Sequence, residues 1–177
     1  MDVLDHLIEE HRKVERLIGQ IKETEPGDER DRLYGEIEDA LAVHMAVEER
    51  FLYPLIAEHI GKEDSEDATD EHTLTRTALA SVKERLEEGA FEAAVDVLEK
   101  GIDHHVSEEE EELFPELRAK AASQLATLDP EQLEEQVKPV AEVGDLTKDE
   151  LYEQAKEADV PGRSSMTKDE LAEALDK

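Results

Sequence analysis

Apolar residues recur at helical spacing through most of the first 126 positions. Val3, Leu4, Leu7, Ile8, Val14, Leu17, Ile18 and Ile21 make one stripe, which Pro26-Gly27 ends. Leu33, Ile37, Leu41, Met45, Leu52, Leu55 and Ile56 make a second, closed by Gly61. Leu74, Ala78, Leu79, Val82 and Leu86 mark a third, closed by Gly89. Phe91, Ala94, Val95, Leu98, Ile102, Val106, Leu113 and Leu117 mark the fourth. Strand-type alternation is scarce and the connectors are short, so neighbouring helices should run antiparallel. The pattern predicts an all-α chain, with an up-down-up-down four-helix bundle over about residues 1–126. Pro54 and Pro115 fall inside the second and fourth stripes, and each should kink its helix or begin a new segment.

The pattern then thins. Residues 127–144 read as a linker with a short helix, bracketed by Pro130 and Pro139. Residues 145–177 carry TKDEL twice, at 147–151 and 167–171. Each copy is a capping box, Thr147 with Glu150 and Thr167 with Glu170, in which the Thr side chain caps a helix start and the Glu reaches back. Two short helices around DVPGRSSM (159–166) follow, a small helix-loop-helix module with few apolar residues.

Charge narrows the choice of partners. The 177 residues carry 50 acidic and 20 basic side chains, a net charge of −30. That disfavours nucleic acid and anionic membranes, which attract basic surfaces. With no cysteine, disulfides, iron–sulfur clusters and thiolate zinc sites are excluded. MDVLDHLIEEH lacks the basic start and apolar core of a signal peptide, and no apolar run reaches membrane-spanning length. KDEL occurs only internally, so it is no retention signal. The expected location is the cytoplasm.

Candidate chemistry comes from a repeat. His11, His44 and Glu48 recur as His72, His105 and Glu109, each displaced by 61 residues. HMAVEERFLYP (44–54) aligns without a gap on HVSEEEEELFP (105–115), and each has a lone His 33 residues upstream. A Glu four residues after a His is cheap in so acidic a chain: His6, His11, His44, His59, His104 and His105 all have one. The displacement, not the pair, singles out His44 and His105. Positions i and i+4 lie about 40° apart on a helix, so His44 with Glu48 and His105 with Glu109 can point inward together. His11 and His72 add one ligand from each remaining helix. Six protein ligands leave two metal ions with open positions, and imidazole plus carboxylate with open positions is non-haem iron chemistry. Glu48 and Glu109 are the candidate bridges. The cofactor expected is a pair of non-haem irons, with manganese an alternative on the same ligands. The small ligands expected are dioxygen, peroxide or nitric oxide.

This arrangement resembles the hemerythrin-like HHE cation-binding domain over about residues 1–120, including the FLYP and ELFP ends. The resemblance implies a four-helix bundle with a di-iron centre that binds or senses oxygen or related ligands, with links to iron handling and oxidative stress. Two departures from the oxygen-carrying members stand out. Arg76 occupies the position of a further His, and His105 is followed by Glu109 at i+4 where those members have Asp at i+5. They point away from reversible oxygen carriage and toward iron oxidation, sensing or peroxide chemistry. The tail resembles the small helical module of Rho N-termini and SAP-like domains. Its ten acids against five bases favour a protein contact through 145–177 over nucleic acid.

The remaining polar residues have plainer readings. The repeat selects His105 over His104, and His6 points away from His11. His59 suits the C-terminal end of its helix. Glu49 and Glu110 read as solvated, and Tyr53 and Phe114 as core. Two other functions compete with ligand binding. One is a di-iron enzyme that oxidises ferrous iron or consumes peroxide. The other is a metal-free helical adaptor acting through its tail.

Overall fold

The computed structural model describes residues 2–87 and 89–137, together with Tyr152, Ala155, Lys156, Arg163, Met166, Thr167, Leu171 and Ala174. The chain forms two units, Met1–Val137 and Lys138–Lys177. In the first, α1 (Val3–Lys22) is followed by α2 (Asp28–Val47), which runs through a π-helical turn, π1 (Glu48–Leu52), into α3 (Tyr53–His59). Next come α4 (Lys62–Lys83) and α5 (Phe91–Glu108), which runs through π2 (Glu109–Leu113) into α6 (Phe114–Lys120). The short α7 (Ala122–Leu125) and α8 (Pro130–Val137) complete the described helices, and the described residues contain no strand. The four long rods are the expected hemerythrin-like bundle. No helix among the described residues is long and apolar enough to cross a membrane.

Local chemistry sets the helix ends. Asp2 caps α1 by accepting the Asp5 N–H at 2.8 Å. Gly27 precedes α2 with φ 132°, a backbone that side-chain-bearing residues rarely adopt. The two prolines explain the π turns. Pro54 and Pro115 have no N–H to give the carbonyl four residues back, and their rings would clash with it. The residue before each proline donates one position further instead, Tyr53 to the Glu48 carbonyl and Phe114 to the Glu109 carbonyl. Each proline then sits in the first turn of the next helix, where no donor is needed. The rods therefore widen at the two glutamates the repeat singles out.

The apolar interior falls into two clusters. One gathers Val14, Ile18, Ile37, Leu41, Leu98 and Ile102, among others. The other gathers Leu4, Leu7, Leu52, Ile56, Phe114 and Leu117, and extends to Leu133 of α8. Leu74 departs from the sequence reading: it is 68% exposed. The buried face of α4 is instead Ala68, His72, Thr75, Leu79 and Val82. Leu74 is two residues from His72, about 200° around the axis, so a stripe containing His72 must expel it.

In the second unit, Ala155 and Leu171 are buried, and the Leu171 N–H donates to the Thr167 carbonyl at 3.0 Å. Both TKDEL capping boxes, the DVPGRSSM connector and the segment around Pro139 lie largely outside the described residues.

Candidate metal centre

All six repeated residues are buried within the bundle: His11, His44, Glu48, His72, His105 and Glu109. Their mid-helix positions form a polar layer between the two apolar clusters. Five of the six, all but His72, offer ligand atoms within 4.8 Å of one another. His72 joins them through its Nε2, 3.3 Å from Glu48 Oε2 and 3.4 Å from His105 Nε2. Glu48 Oε2 also lies 3.2 Å from His44 Nε2 and 3.9 Å from His105 Nε2. Glu109 Oε2 is 3.5 Å from both His11 Nε2 and His105 Nε2. Each carboxylate therefore faces histidines from both halves of the repeat.

The outer nitrogens fix which way the rings point. His11 Nδ1 is 2.9 Å from Glu110, His44 Nδ1 3.2 Å from Glu10, His72 Nδ1 2.9 Å from Glu49 and His105 Nδ1 3.0 Å from Glu71. A carboxylate accepts and cannot donate, so Nδ1 carries the ring proton in all four neutral imidazoles. Every Nε2 then presents a lone pair inward, and that of His72 also meets the Tyr53 hydroxyl at 2.9 Å. His11 and His44 aim theirs at each other across 3.1 Å. Among the buried oxygens, Glu48 Oε1, Glu48 Oε2 and Glu109 Oε2 accept no hydrogen bond. With both carboxyls ionised, the short Nε2–carboxylate approaches are lone pair against lone pair. A cation resolves that clash, and carboxylate-oriented histidines are what metal sites use.

Electrostatics agree. Burial holds the His44 imidazole below its usual range, and burial with the neighbouring His105 lowers His72 to about 4. For His105, burial works downward but Glu109 and Glu71 outweigh it, and it rises. The carboxyl pair splits. Burial, reinforced by Glu109, raises Glu48 well above the usual range. Burial also opposes ionisation of Glu109, but His105 and His11 prevail and lower it to about 2. Two carboxylates this close cannot both stay charged without added positive charge.

The residues outside this set divide clearly. The His104 side chain is 73% exposed, against 7% for that of His105, so the register chosen from the repeat places the buried histidine. His6 bonds Glu134 of α8 at 2.5 Å, away from the centre, and His59 meets Gln124 at 3.0 Å. Glu49 and Glu110, read from sequence as solvated, instead orient His72 and His11. Glu10 and Glu71, which do the same for His44 and His105, were missed. Their signal is in the chain: the dipeptides Glu10-His11 and Glu71-His72 repeat in the same register. Arg12 pairs with Glu110, and Arg76 holds Glu49 at 2.8 Å, so the arginine at the departing position supports a histidine's partner. Tyr53 is in the core, as expected, yet its hydroxyl lies 2.9 Å from His72 Nε2 and 3.4 Å from Glu109 Oε1. Burial and the nearby glutamates raise its pKa and keep it a donor.

Residues 2–117 match the family described as hemerythrin HHE cation binding domain. The chain belongs to the hemerythrin HHE family. A curated relative, a DNA nickase of Nostoc sp., is 26% identical over 125 residues. Those residues are 70% of this chain and 36% of the nickase, so the chain spans about a third of that relative's length. No solved structure matches. The match to the hemerythrin family ends before α8 and the second unit, so the comparison speaks only for the metal-binding bundle. A hemerythrin-type domain with this buried His/Glu cluster is a metal-binding helical protein.

Proposed function

We propose that the centre holds two non-haem iron ions on His11, His44, Glu48, His72, His105 and Glu109, and that it binds or senses dioxygen, peroxide or nitric oxide. The observation that carries this reading is the set of three partnerless carboxylate oxygens facing four inward imidazole nitrogens. Six ligands of this hardness suit iron, and manganese fits the same set. When bound, the irons would supply electron transfer and open positions for a small ligand. The protein's own part is to hold His44 and His72 neutral, orient all four imidazoles through Glu10, Glu49, Glu71 and Glu110, and exclude bulk water. A cavity of about 10 Å³, the room for one water-sized molecule, adjoins the histidines and is otherwise almost wholly apolar.

The test is metal content after anaerobic ferrous reconstitution, with the visible spectrum on oxidation. About two irons per chain with di-iron(III) absorption supports the proposal. No bound metal refutes it and leaves the adaptor reading, which moves attention to 145–177 as a protein-contact module. Rapid peroxide or ferrous-iron turnover, lost in Glu48→Ala, would make the protein an enzyme. The Nostoc relative's name raises DNA nicking as a further reading, which the net charge of −30 opposes. Intact supercoiled plasmid after incubation with iron-loaded protein is the expected result.

A further inference from the structure

Among the residues lining the cavity beside the histidines, Thr75 alone carries a hydroxyl, and the rest of the lining beyond the four imidazoles is aliphatic or Met45. Helix α4 carries four threonines. Thr69, Thr73 and Thr77 are exposed, and each donates to the carbonyl four residues earlier, at 2.8, 3.3 and 2.9 Å. Thr75 is only 5% exposed, and its hydroxyl has no hydrogen-bond partner among the described residues. The threonine thus forgoes the bond that its three exposed neighbours make, and its oxygen is not among the fully enclosed partnerless atoms, so it keeps some open space to face.

The repeat supplies a comparison within the chain. A displacement of 61 residues carries Val14 onto Thr75, and both line the cavity. Valine and threonine have nearly the same shape, so the packing requirement at this position is met without a hydroxyl. Glu48, Glu109 and Tyr53 are not part of the lining, so the carboxylates lie apart from the cavity wall. The cavity therefore adjoins the centre on its imidazole side, where Thr75 lies.

We propose that Thr75 is the specificity-determining residue of this cavity, donating a hydrogen bond to a small ligand that accepts one, of the azide, nitric oxide or dioxygen class. The inference rests on the proposed metal centre. The probe is azide, titrated into iron-reconstituted wild type, Thr75→Val and Thr75→Ser, with iron per chain measured on the same samples. Expected are equal iron contents, azide affinity on the order of tenfold weaker in Thr75→Val, and near wild-type affinity in Thr75→Ser. The metal-free proteins add an independent reading: Thr75→Val should melt no lower than wild type, because an unpartnered hydroxyl contributes nothing to the fold. Unchanged azide affinity in Thr75→Val at full iron content overturns the proposal. So does a metal-free Thr75→Val that melts several degrees lower, which would make the hydroxyl structural. A wild type that takes up no iron refutes the metal reading itself, and this inference with it.

Discussion

Glu48→Leu should change stability in opposite directions with and without metal. Both Glu48 oxygens are buried and accept no hydrogen bond, while three imidazole nitrogens lie within 4 Å. In metal-free protein, each unsatisfied buried polar group costs about 1–3 kcal/mol. Leucine has similar bulk and no such need, and replacing buried ionic groups by apolar ones often stabilises by about 1–4 kcal/mol. A net gain of about 2 kcal/mol is expected, roughly 8 °C in melting temperature for a unit of this size. Wild type at a free ferrous concentration about a thousandfold above Kd should gain roughly 4 kcal/mol. The variant should lose most of that gain. The assay is thermal unfolding followed by circular dichroism, in chelator and then with anaerobic ferrous iron.

The pH dependence adds a sign. Burial and Glu109 raise the folded pKa of Glu48, so the folded state keeps a proton that the unfolded state releases above about pH 4.5. Its contribution to metal-free stability is therefore present at low pH and lost as pH rises. The variant should lack that loss, so its advantage over wild type should widen toward neutrality. A Glu48→Leu protein that melts below wild type in chelator would refute the reasoning, because the carboxyl would then have a stabilising partner without any cation.

Other predictions follow from the same geometry. His105→Ala should lower metal content while His104→Ala barely changes it, as measured by elemental analysis, since only His105 is buried. Glu71→Gln and Glu49→Gln should each weaken metal affinity by about 10–100-fold in competition with a chelator, by freeing His105 and His72 to turn. Arg30 is buried, donates to the Thr24 and Leu86 carbonyls, and stacks 3.9 Å from the Phe91 ring centroid. Lysine cannot span those acceptors, so Arg30→Lys should cost about 2 kcal/mol in denaturant unfolding and leave metal content unchanged.

How much of this was legible depended on contrast with background. The four rods show because apolar residues at helical spacing stand out in a chain with 40% charged residues. The six central residues show because histidine is rare and the 61-residue displacement is strict. The ring of Glu10, Glu49, Glu71 and Glu110 has the same periodicity, but in a chain with 50 acids a repeated glutamate carries little weight. The outward turn of Leu74 was hidden for the opposite reason. Reading only apolar positions left out His72 and Thr75, the two polar residues that define the buried face of α4. Each proline announced a break, but not its form. The π turn depends on which carbonyl the preceding N–H can still reach.

The repeat and its failures carry different information. A strict repeat supplies symmetric parts: two inward histidines, one carboxylate and two orienting glutamates from each half. Symmetric parts alone would make two equivalent metal positions, with no reason for a ligand to prefer one. Departures from the repeat at the centre include Met45 against Val106, Tyr53 against Phe114 and Thr75 against Val14, and the last two differ in polarity. Tyr53 and Thr75 each add a hydroxyl near His72: Tyr53 reaches its Nε2, and Thr75 lies three residues along the same helix. On the other side, Phe114 stacks against His11 with centroids 6.1 Å apart and offers no polar atom. A bound pair of ions would therefore meet a hydroxyl-rich environment near His72 and an apolar one near His11. Small ligands that accept hydrogen bonds should settle toward His72. Thr75→Val removes one of the two hydroxyl differences without touching a proposed ligand, so any narrowing of the spectroscopic inequivalence of the two irons would trace to that hydroxyl.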